Sequence, residues 1–460
     1  MTSPVDSLPI RLAIRLTLDS VSYSNPLPPW TDPLTINYSH REKTIAQKIE
    51  DYVNRKSQPV APFEIDVPKR SGNKRRWLVP SINDQIIIQA CVSALANKIE
   101  DTLDPNRVHS YRLNRDPNRL QLTHSQVSSW KRFQNEINEK LKEQPQLLQF
   151  DLEATYQSIR PDDFLKFIRG LSPGSIEVAL LEIMMKSFAS GNNGLPMIND
   201  SVFFLGNAYL RGVDHIVSKH TSCFIRFVDD YRVFGESRDI LKETLDNISR
   251  ELLLIGFKVN TSKVKLGTAE DYLETISKAK YATSTADSGY VSAAVFDDII
   301  EPELLASIIS KAIKRPDEFI NEGFGRLIIG SIRRMRLNHE TATIKGFPGS
   351  PLYKFTEFLS QDAGLIKAAI DLVEKYIHTA HEEWRVVWLL YVMQEVNSGD
   401  EKLSRRFSEI LNMISSAPEI PFVARLWANK VRGLWRGNRS PADNLHDLGY
   451  LDEGNEIFGT

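Results

Sequence analysis

The chain has 460 residues, 42% hydrophobic and 25% charged, with a formal net charge of −2 at pH 7. That composition excludes a largely disordered protein, leaves room for two or three structural units, and gives no bulk charge that would by itself attract nucleic acid. No apolar run nears the about 20 residues of a membrane helix, the N-terminus shows no basic-then-apolar leader, and Cys91 and Cys223 read as reduced core residues, so a cytoplasmic chain without a membrane partner is expected.

The first 60 or so residues carry prolines and aromatics (SNPLPPW), then a helical pattern in REKTIAQKIEDYVNRK. FEIDVPKRSGNKRRWLVP reads as two short strands joined by a Gly-containing turn. That turn concentrates Lys69, Arg70, Lys74, Arg75 and Arg76, and Arg107, Arg112, Arg115 and Arg119 follow in the next irregular region. A local basic patch on a near-neutral protein suits a phosphate-bearing ligand held at one site. DQIIIQACVSALANKIEDTL has helical spacing through Ile87, Cys91, Leu95 and Ile99. SSWKRFQNEINEKLKE predicts a helix that leads into the compact strand LLQFD. PDDFLKFIRGL, SIEVALLEIMMKSFA and DSVFFLGNAYLRGVDHIVSKH predict helices. FIRFVDDYRVF predicts a hairpin, followed by the helix DILKETLDNISRELLLIG and the strand-like FKVNTSKVKLG. Up to about residue 280 this is an α+β pattern, with helices interrupting a small antiparallel sheet.

Beyond residue 300 only amphipathic helices follow, among them GLIKAAIDLVEKYIH, EEWRVVWLLYVMQEV, KLSRRFSEILNMIS and PFVARLWANKVRGLW. They predict an all-α, HEAT-like helical-repeat domain, although no strict period is visible. Trp384, Trp388, Trp427 and Trp435 read as helix–helix core. His378 and His381 read as surface residues, since no third metal ligand is near. The expected organisation is an N-terminal extension over 1–60, a catalytic α+β domain over 61–285 and a helical domain over 286–460.

The chemistry is carried by carboxylates. LLQFD ends an apolar strand on Asp151, where an ionised group is costly unless paired or metal-bound. Asp229 and Asp230 stand side by side at a hairpin tip, where turn geometry favours Asn-Gly or Asp-Gly. A helix-capping Asp and a solvated acidic turn account for each feature alone. Together, two strands that deliver carboxylates at one end are what a two-metal phosphoryl-transfer site requires.

Five segments in order resemble the reverse transcriptase family over roughly residues 65 to 270. They are PKRSGNKRRWLVPSINDQII in the fingers, FDLEATYQSI, GLPMINDSVFFLGNAYL, RFVDD and IGFKVNTSKVK. The resemblance implies a right-hand polymerase fingers–palm core and RNA-directed DNA synthesis from deoxynucleoside triphosphates, with two Mg²⁺ ions for which Mn²⁺ can substitute. It places Asp151, Leu152 and Asp229 at the metals, Asp230 as the supporting carboxylate, and Lys263 as the donor of a proton to pyrophosphate. Lys69, Arg75, Tyr156, Pro196 and Asn207 fall at the nucleotide, with Tyr156 as the aromatic gate against a 2′-hydroxyl. The sequence departs from the family at Met197-Ile198, where Gln-Gly is usual, and at Phe227, where Tyr is usual.

The helical tail resembles the bacterial abortive-infection and defence-associated reverse transcriptases. That implies a cytoplasmic antiphage enzyme, a homo-oligomer (trimer or hexamer), and a companion non-coding RNA as template, a protein hydroxyl as primer, or both. Tyr23, Tyr38, Tyr111 and Tyr290 are candidate primers. Two other readings stand beside it: a catalytically degenerate RNA-binding scaffold, and a retron or group II-like mobile-element enzyme.

Overall fold

The computed structural model describes residues 5, 7–23, 38–69, 73–116, 120–188, 194–196, 199–274, 302–341, 351–379, 382–394, 396 and 399–435. Arg70, Arg119, Met197, Ile198, Tyr290 and His381, all singled out above, lie outside them. The backbone divides into two compact units, one of residues 1–20, 37–63 and 78–281, the other of 21–36, 64–77 and 282–460.

The first unit is built on a four-stranded antiparallel sheet in the order β4-β5-β3-β6. Its strands are β3 (Gln146–Asp151), β4 (Phe224–Phe227), β5 (Asp230–Gly235) and β6 (Lys265–Thr268). The hairpin FIRFVDDYRVF forms as its alternation predicts, with Phe227 paired to Asp230 and a two-residue turn at Val228-Asp229. The apolar strand LLQFD is β3, central in the sheet and buried through Leu147, Leu148 and Phe150. The stretch FKVNTSKVKLG does not run as one strand. A single bridge joins Val259 to Leu152, a 3-10 turn occupies Thr261–Lys263, and β6 follows.

Helices α1 (Ile10–Tyr23), α2 (Tyr38–Val53), α3 (Ile82–Glu100), α4 (Gln126–Glu143), α5 (Thr155–Ser158), α6 (Pro161–Leu171), α7 (Ile176–Phe188), α8 (Asp200–Tyr209), α9 (Arg211–His220) and α10 (Arg238–Leu254) complete the unit. α1 buries Ala13, Ile14, Leu16 and Leu18, a helix that the sequence reading did not anticipate. Phe133, Ile137 and Leu141 of α4 pack on the sheet face that carries Leu147, Ile225 and Phe234. Asp230 and Arg232 alternate with Phe234 on that face. The opposite face carries Phe150 and Tyr231, whose rings stack at 5.1 Å. It meets α9 through the hydrogen bond from Tyr231 to Asp214, with α10 packed beside α9.

The second unit contains the hairpin of β1 (Phe63–Pro68) and β2 (Lys74–Val79) over residues 64–77, and the helices of residues 302–435. Neighbouring helices pack in pairs, Ala363–Ile377 on Glu383–Met393 and Glu401–Ser416 on Phe422–Trp435. Glu383–Met393 is buried on all sides, as a helix apolar around its whole circumference must be. Trp384, Trp388 and Trp427 lie in this core, as their spacing predicts. No described helix is long and apolar enough to cross a membrane.

Candidate active site

Register decides which carboxylates meet. Asp151, the last residue of β3, is the direct partner of Asp230, the first of β5. Asp229 sits in the adjoining turn, and its carbonyl accepts from the Leu152 amide at 3.3 Å. All three acidic residues therefore gather at one end of the sheet. Continuing the chain, Ala154 adopts φ 48°, and this left-handed step turns β3 into α5. Thr155 then donates to Asp229 Oδ2 at 2.6 Å.

Each carboxylate is engaged by the protein. Asp151 Oδ2 pairs with Lys263 Nζ at 2.5 Å. Asp230 receives both terminal nitrogens of Arg232, whose guanidinium lies over the Phe133 ring. Burial pushes the Asp229 carboxyl above its ordinary value; the Thr155 hydrogen bond opposes this, and the charges of Asp230 and Asp151 add to it. Pulled toward these separate partners, the acidic side chains do not form a ready-made cage: among the described residues no three His, Cys, Asp or Glu side chains are grouped to hold a metal ion. Asp151 Oδ1, however, is buried with no hydrogen-bond partner. An orphaned carboxylate oxygen next to a second carboxylate of raised proton affinity fits a divalent cation, which takes hard oxygen ligands and removes both penalties.

Tyr156 and the Gly-Leu-Pro segment form a second layer. Tyr156 is buried, with its ring edge-on to Phe203 at 5.6 Å. Gly206 makes room for it, since a Cβ there would stand 2.5 Å from Tyr156 Cε1. Gly194, at φ 109°, crosses the backbone of this turn so closely that a Cβ would meet the Gln157 Cα at 2.9 Å. The Leu195 amide donates to the Tyr156 carbonyl at 3.0 Å, and Pro196 follows in a buried position. Tyr156 is thus held among core residues directly after the acidic end of β3.

Asn207 is fully buried, and its amide is engaged by the protein. Its Oδ1 accepts from Arg226 Nη1 at 2.5 Å, and its Nδ2 donates to the Ser110 carbonyl at 2.8 Å. The reason is that α8 is buried from Ser201 to Ala208, so every side chain there needs a protein partner.

The partner is a residue that sequence reasoning missed. Arg226, inside the apolar run FIRF, is fully buried and uses all five N–H donors. Two go to Asp214 at 2.6 and 2.9 Å, two to the side chain and carbonyl of Asn207, and one to the Val228 carbonyl at 3.0 Å. Asp214 also accepts from the Tyr231 hydroxyl at 2.9 Å. The only signal in the sequence was an Arg on the inward side of an alternating strand.

The turn that this network supports is strained. Val228 has φ 57°, a left-handed conformation that costs a β-branched residue about 1–3 kcal/mol. Tyr111, beside Ser110, is likewise left-handed at φ 44°. Among the described residues, three of the four non-glycine residues with positive φ (Tyr111, Ala154 and Val228) therefore border the acidic sheet end, the pattern expected where strain is held for function.

Of the remaining expected residues, Leu152 is buried and its carbonyl accepts from the Thr155 hydroxyl at 3.3 Å. Lys263 stands largely exposed on its 3-10 turn. Lys69 and Arg75 belong to the β1–β2 hairpin in the second unit, where the Lys69 amide donates to the Asn73 carbonyl and neighbouring Lys74 pairs with Glu382.

Residues 67–285 match the model of the reverse transcriptase (RNA-dependent DNA polymerase) family. The chain thus carries a reverse transcriptase domain, and the acidic sheet end lies inside it. Among solved structures, apo telomerase from Candida tropicalis is similar at 13% identity, over 85% of this chain and 74% of that chain, with a TM-score of 0.34. So loose a likeness bears on neither fold nor activity. No curated protein matches the sequence.

Proposed function

We propose that the protein is an RNA-directed DNA polymerase that adds deoxynucleotides by two-metal phosphoryl transfer. The observation that carries this reading is the meeting of Asp151, with its orphaned Oδ1, and the Asp229 turn at one end of the sheet within a reverse transcriptase domain. Asp151 and Asp229, with the Leu152 carbonyl, would hold Mg²⁺ or Mn²⁺; bound there, the ions supply charge for the attacking 3′-oxygen and the pyrophosphate. Asp230, neutralised by Arg232, keeps the hairpin in register without competing for a cation. Lys263 carries the proton at this end of the sheet and is the candidate donor to pyrophosphate. Tyr156 closes the site against a 2′-hydroxyl.

The finer reading is a bacterial antiphage enzyme, homo-oligomeric, that copies a companion RNA or starts from a protein hydroxyl. What supports it is the succession of a reverse transcriptase domain and helices that pack in neighbouring pairs. Purified protein should extend an added primer–template, co-purified nucleic acid or its own side chain with labelled deoxynucleotides and Mg²⁺. Asp229→Asn and Asp151→Asn should lower incorporation by at least ~10³-fold, since metal charge is worth several kcal/mol. If none of the three acceptors is extended, the polymerase reading fails.

A second reading, an RNA-binding scaffold without catalysis, is favoured by one observation: every carboxylate already has a protein partner. RNA binding and phage protection that survive Asp229→Asn would establish it.

A further inference from the structure

The Val228 turn is gripped from both sides. Its amide donates to the Ser110 hydroxyl at 2.7 Å, and its carbonyl accepts from Arg226 at 3.0 Å. One partner is remote, since Ser110 lies 118 positions away in sequence, and the other, Arg226, belongs to the same hairpin. Neither partner is loose. Ser110 is fully buried, and its hydroxyl lies 3.4 Å from Asn207 Oδ1 while its carbonyl accepts from Asn207 Nδ2. Arg226 is fixed by Asp214 and Asn207.

The segment before Ser110 is tied to the hairpin as well. The Arg226 amide donates to the Arg107 carbonyl at 2.8 Å, and the His109 amide to the Arg226 carbonyl at 3.1 Å. Val108 and Arg226 thereby form a parallel bridge along the free edge of β4. Residues 107–110 are in effect a strap that ends on the turn.

A β-branched residue persists at positive φ only where its surroundings over-determine the backbone. Asp229 is the next residue, so the direction of its carboxylate follows from the φ and ψ of Val228. We propose that Ser110 and Arg226 are positioning residues, clamping the two peptide units of Val228 so that Asp229 is aimed at Asp151 and a divalent cation can bridge them. The assignment rests on the polymerase reading for its catalytic consequence but not for its geometry. It gives the buried Arg226–Asp214–Asn207 network a task beyond filling the space between β4, α8 and α9. Buried ionic groups are weak sources of stability when compared with apolar residues of similar volume, so retention of this one suits a role in fixing geometry.

The test uses the full-length protein. Arg226→Met strands Asp214 and can unfold the domain, so Ser110→Ala is the decisive variant, since it removes one hydroxyl and little volume. Three quantities are measured: the melting temperature, Mn²⁺ affinity by electron paramagnetic resonance titration, and kcat and KM for deoxynucleotide incorporation. The clamp predicts that Ser110→Ala weakens Mn²⁺ binding by about 5–10-fold, the loss of one hydrogen bond. It predicts a similar fall in kcat with KM little changed, while Ser110→Thr, which keeps the hydroxyl, restores both. A lower melting temperature with unaltered Mn²⁺ affinity and kcat would mean that the strap is merely structural, and the proposal falls. Wild-type protein that incorporates nothing, yet loses Mn²⁺ affinity on Ser110→Ala, would sink the polymerase reading and leave the clamp standing.

Discussion

Asp151 and Asp230 face each other directly across β3 and β5, yet each is neutralised by a different cation, Lys263 for the first and Arg232 for the second. Like charges in paired positions destabilise a sheet, and the two cations remove that cost without bringing the carboxylates onto a common ion. The pairs differ in permanence. Arg232 is buried, whereas Lys263 is 65% exposed and can leave.

Lys263→Met should therefore change the melting temperature little, because an exposed ion pair contributes at most about 1 kcal/mol. It should strengthen Mn²⁺ binding several-fold, since Asp151 Oδ2 is released. Turnover should nevertheless fall about 10²-fold if the ammonium protonates pyrophosphate. Single-turnover incorporation and a metal titration on one preparation check both signs; unchanged turnover removes Lys263 from the chemistry.

The contact between Tyr156 and Gly206 sets up a test of sugar discrimination. Gly206→Ala would place a methyl 2.5 Å from the Tyr156 ring and force it to move. Overpacking of this kind costs about 1–3 kcal/mol. The ratio of kcat/KM for deoxynucleotides over ribonucleotides should fall in Gly206→Ala, and further in Tyr156→Ala. A ratio that stays constant in both variants would leave Tyr156 a packing residue alone.

His109 makes the strap sensitive to acid. Burial holds its imidazole below the ordinary histidine value; Glu136 pulls the other way, and Arg132, Arg112 and Lys140 reinforce burial. Its Nε2 is buried without a partner, and its ring lies 5.6 Å from Phe133. With the folded-state value lowered, the unfolded chain binds the extra proton first. Stability is then intact above about pH 6.5 and is lost as the pH falls from there toward the lowered folded value. His109→Phe should flatten melting temperature against pH over that window. An unchanged slope would assign the acid sensitivity elsewhere.

Val228→Gly should separate stability from turnover. Glycine relieves a left-handed strain worth about 1–2 kcal/mol but costs about 0.5–1 kcal/mol in backbone entropy. The melting temperature should hold or rise slightly while kcat drops, because the turn can then explore conformations that turn Asp229 away. Equal or higher kcat in the glycine variant would show that the strain does not serve Asp229.

What could be read from the sequence was local. Strand β3 is legible because an apolar run stops on Asp151, and the hairpin is legible because alternation resumes on both sides of Asp229-Asp230. The supports of the site were not legible, since they come from elements distant in sequence: Ser110 from a loop, Asn207 from α8 and Asp214 from α9. The protein partners of Asn207 were not legible either, because motif position says nothing about which way a helix turns its side chains once both of its faces are buried. The stretch after Phe257 reads as a strand by composition, but Asn260 donates its amide to the Asp151 carbonyl and bends the chain before β6 can begin.

The first unit holds a single tryptophan, Trp130, and its indole meets Phe227 edge-on at 5.0 Å, next to the Val228 turn. Trp77, Trp384, Trp388 and Trp427 are all buried in the second unit. Replacing the tryptophans outside the first unit with phenylalanine would leave one indole, which can be excited selectively over the tyrosines and whose emission reports on the surroundings of the hairpin tip. Cation arrival at the acidic sheet end could then be followed optically, without a label and without any nucleic acid in the cuvette.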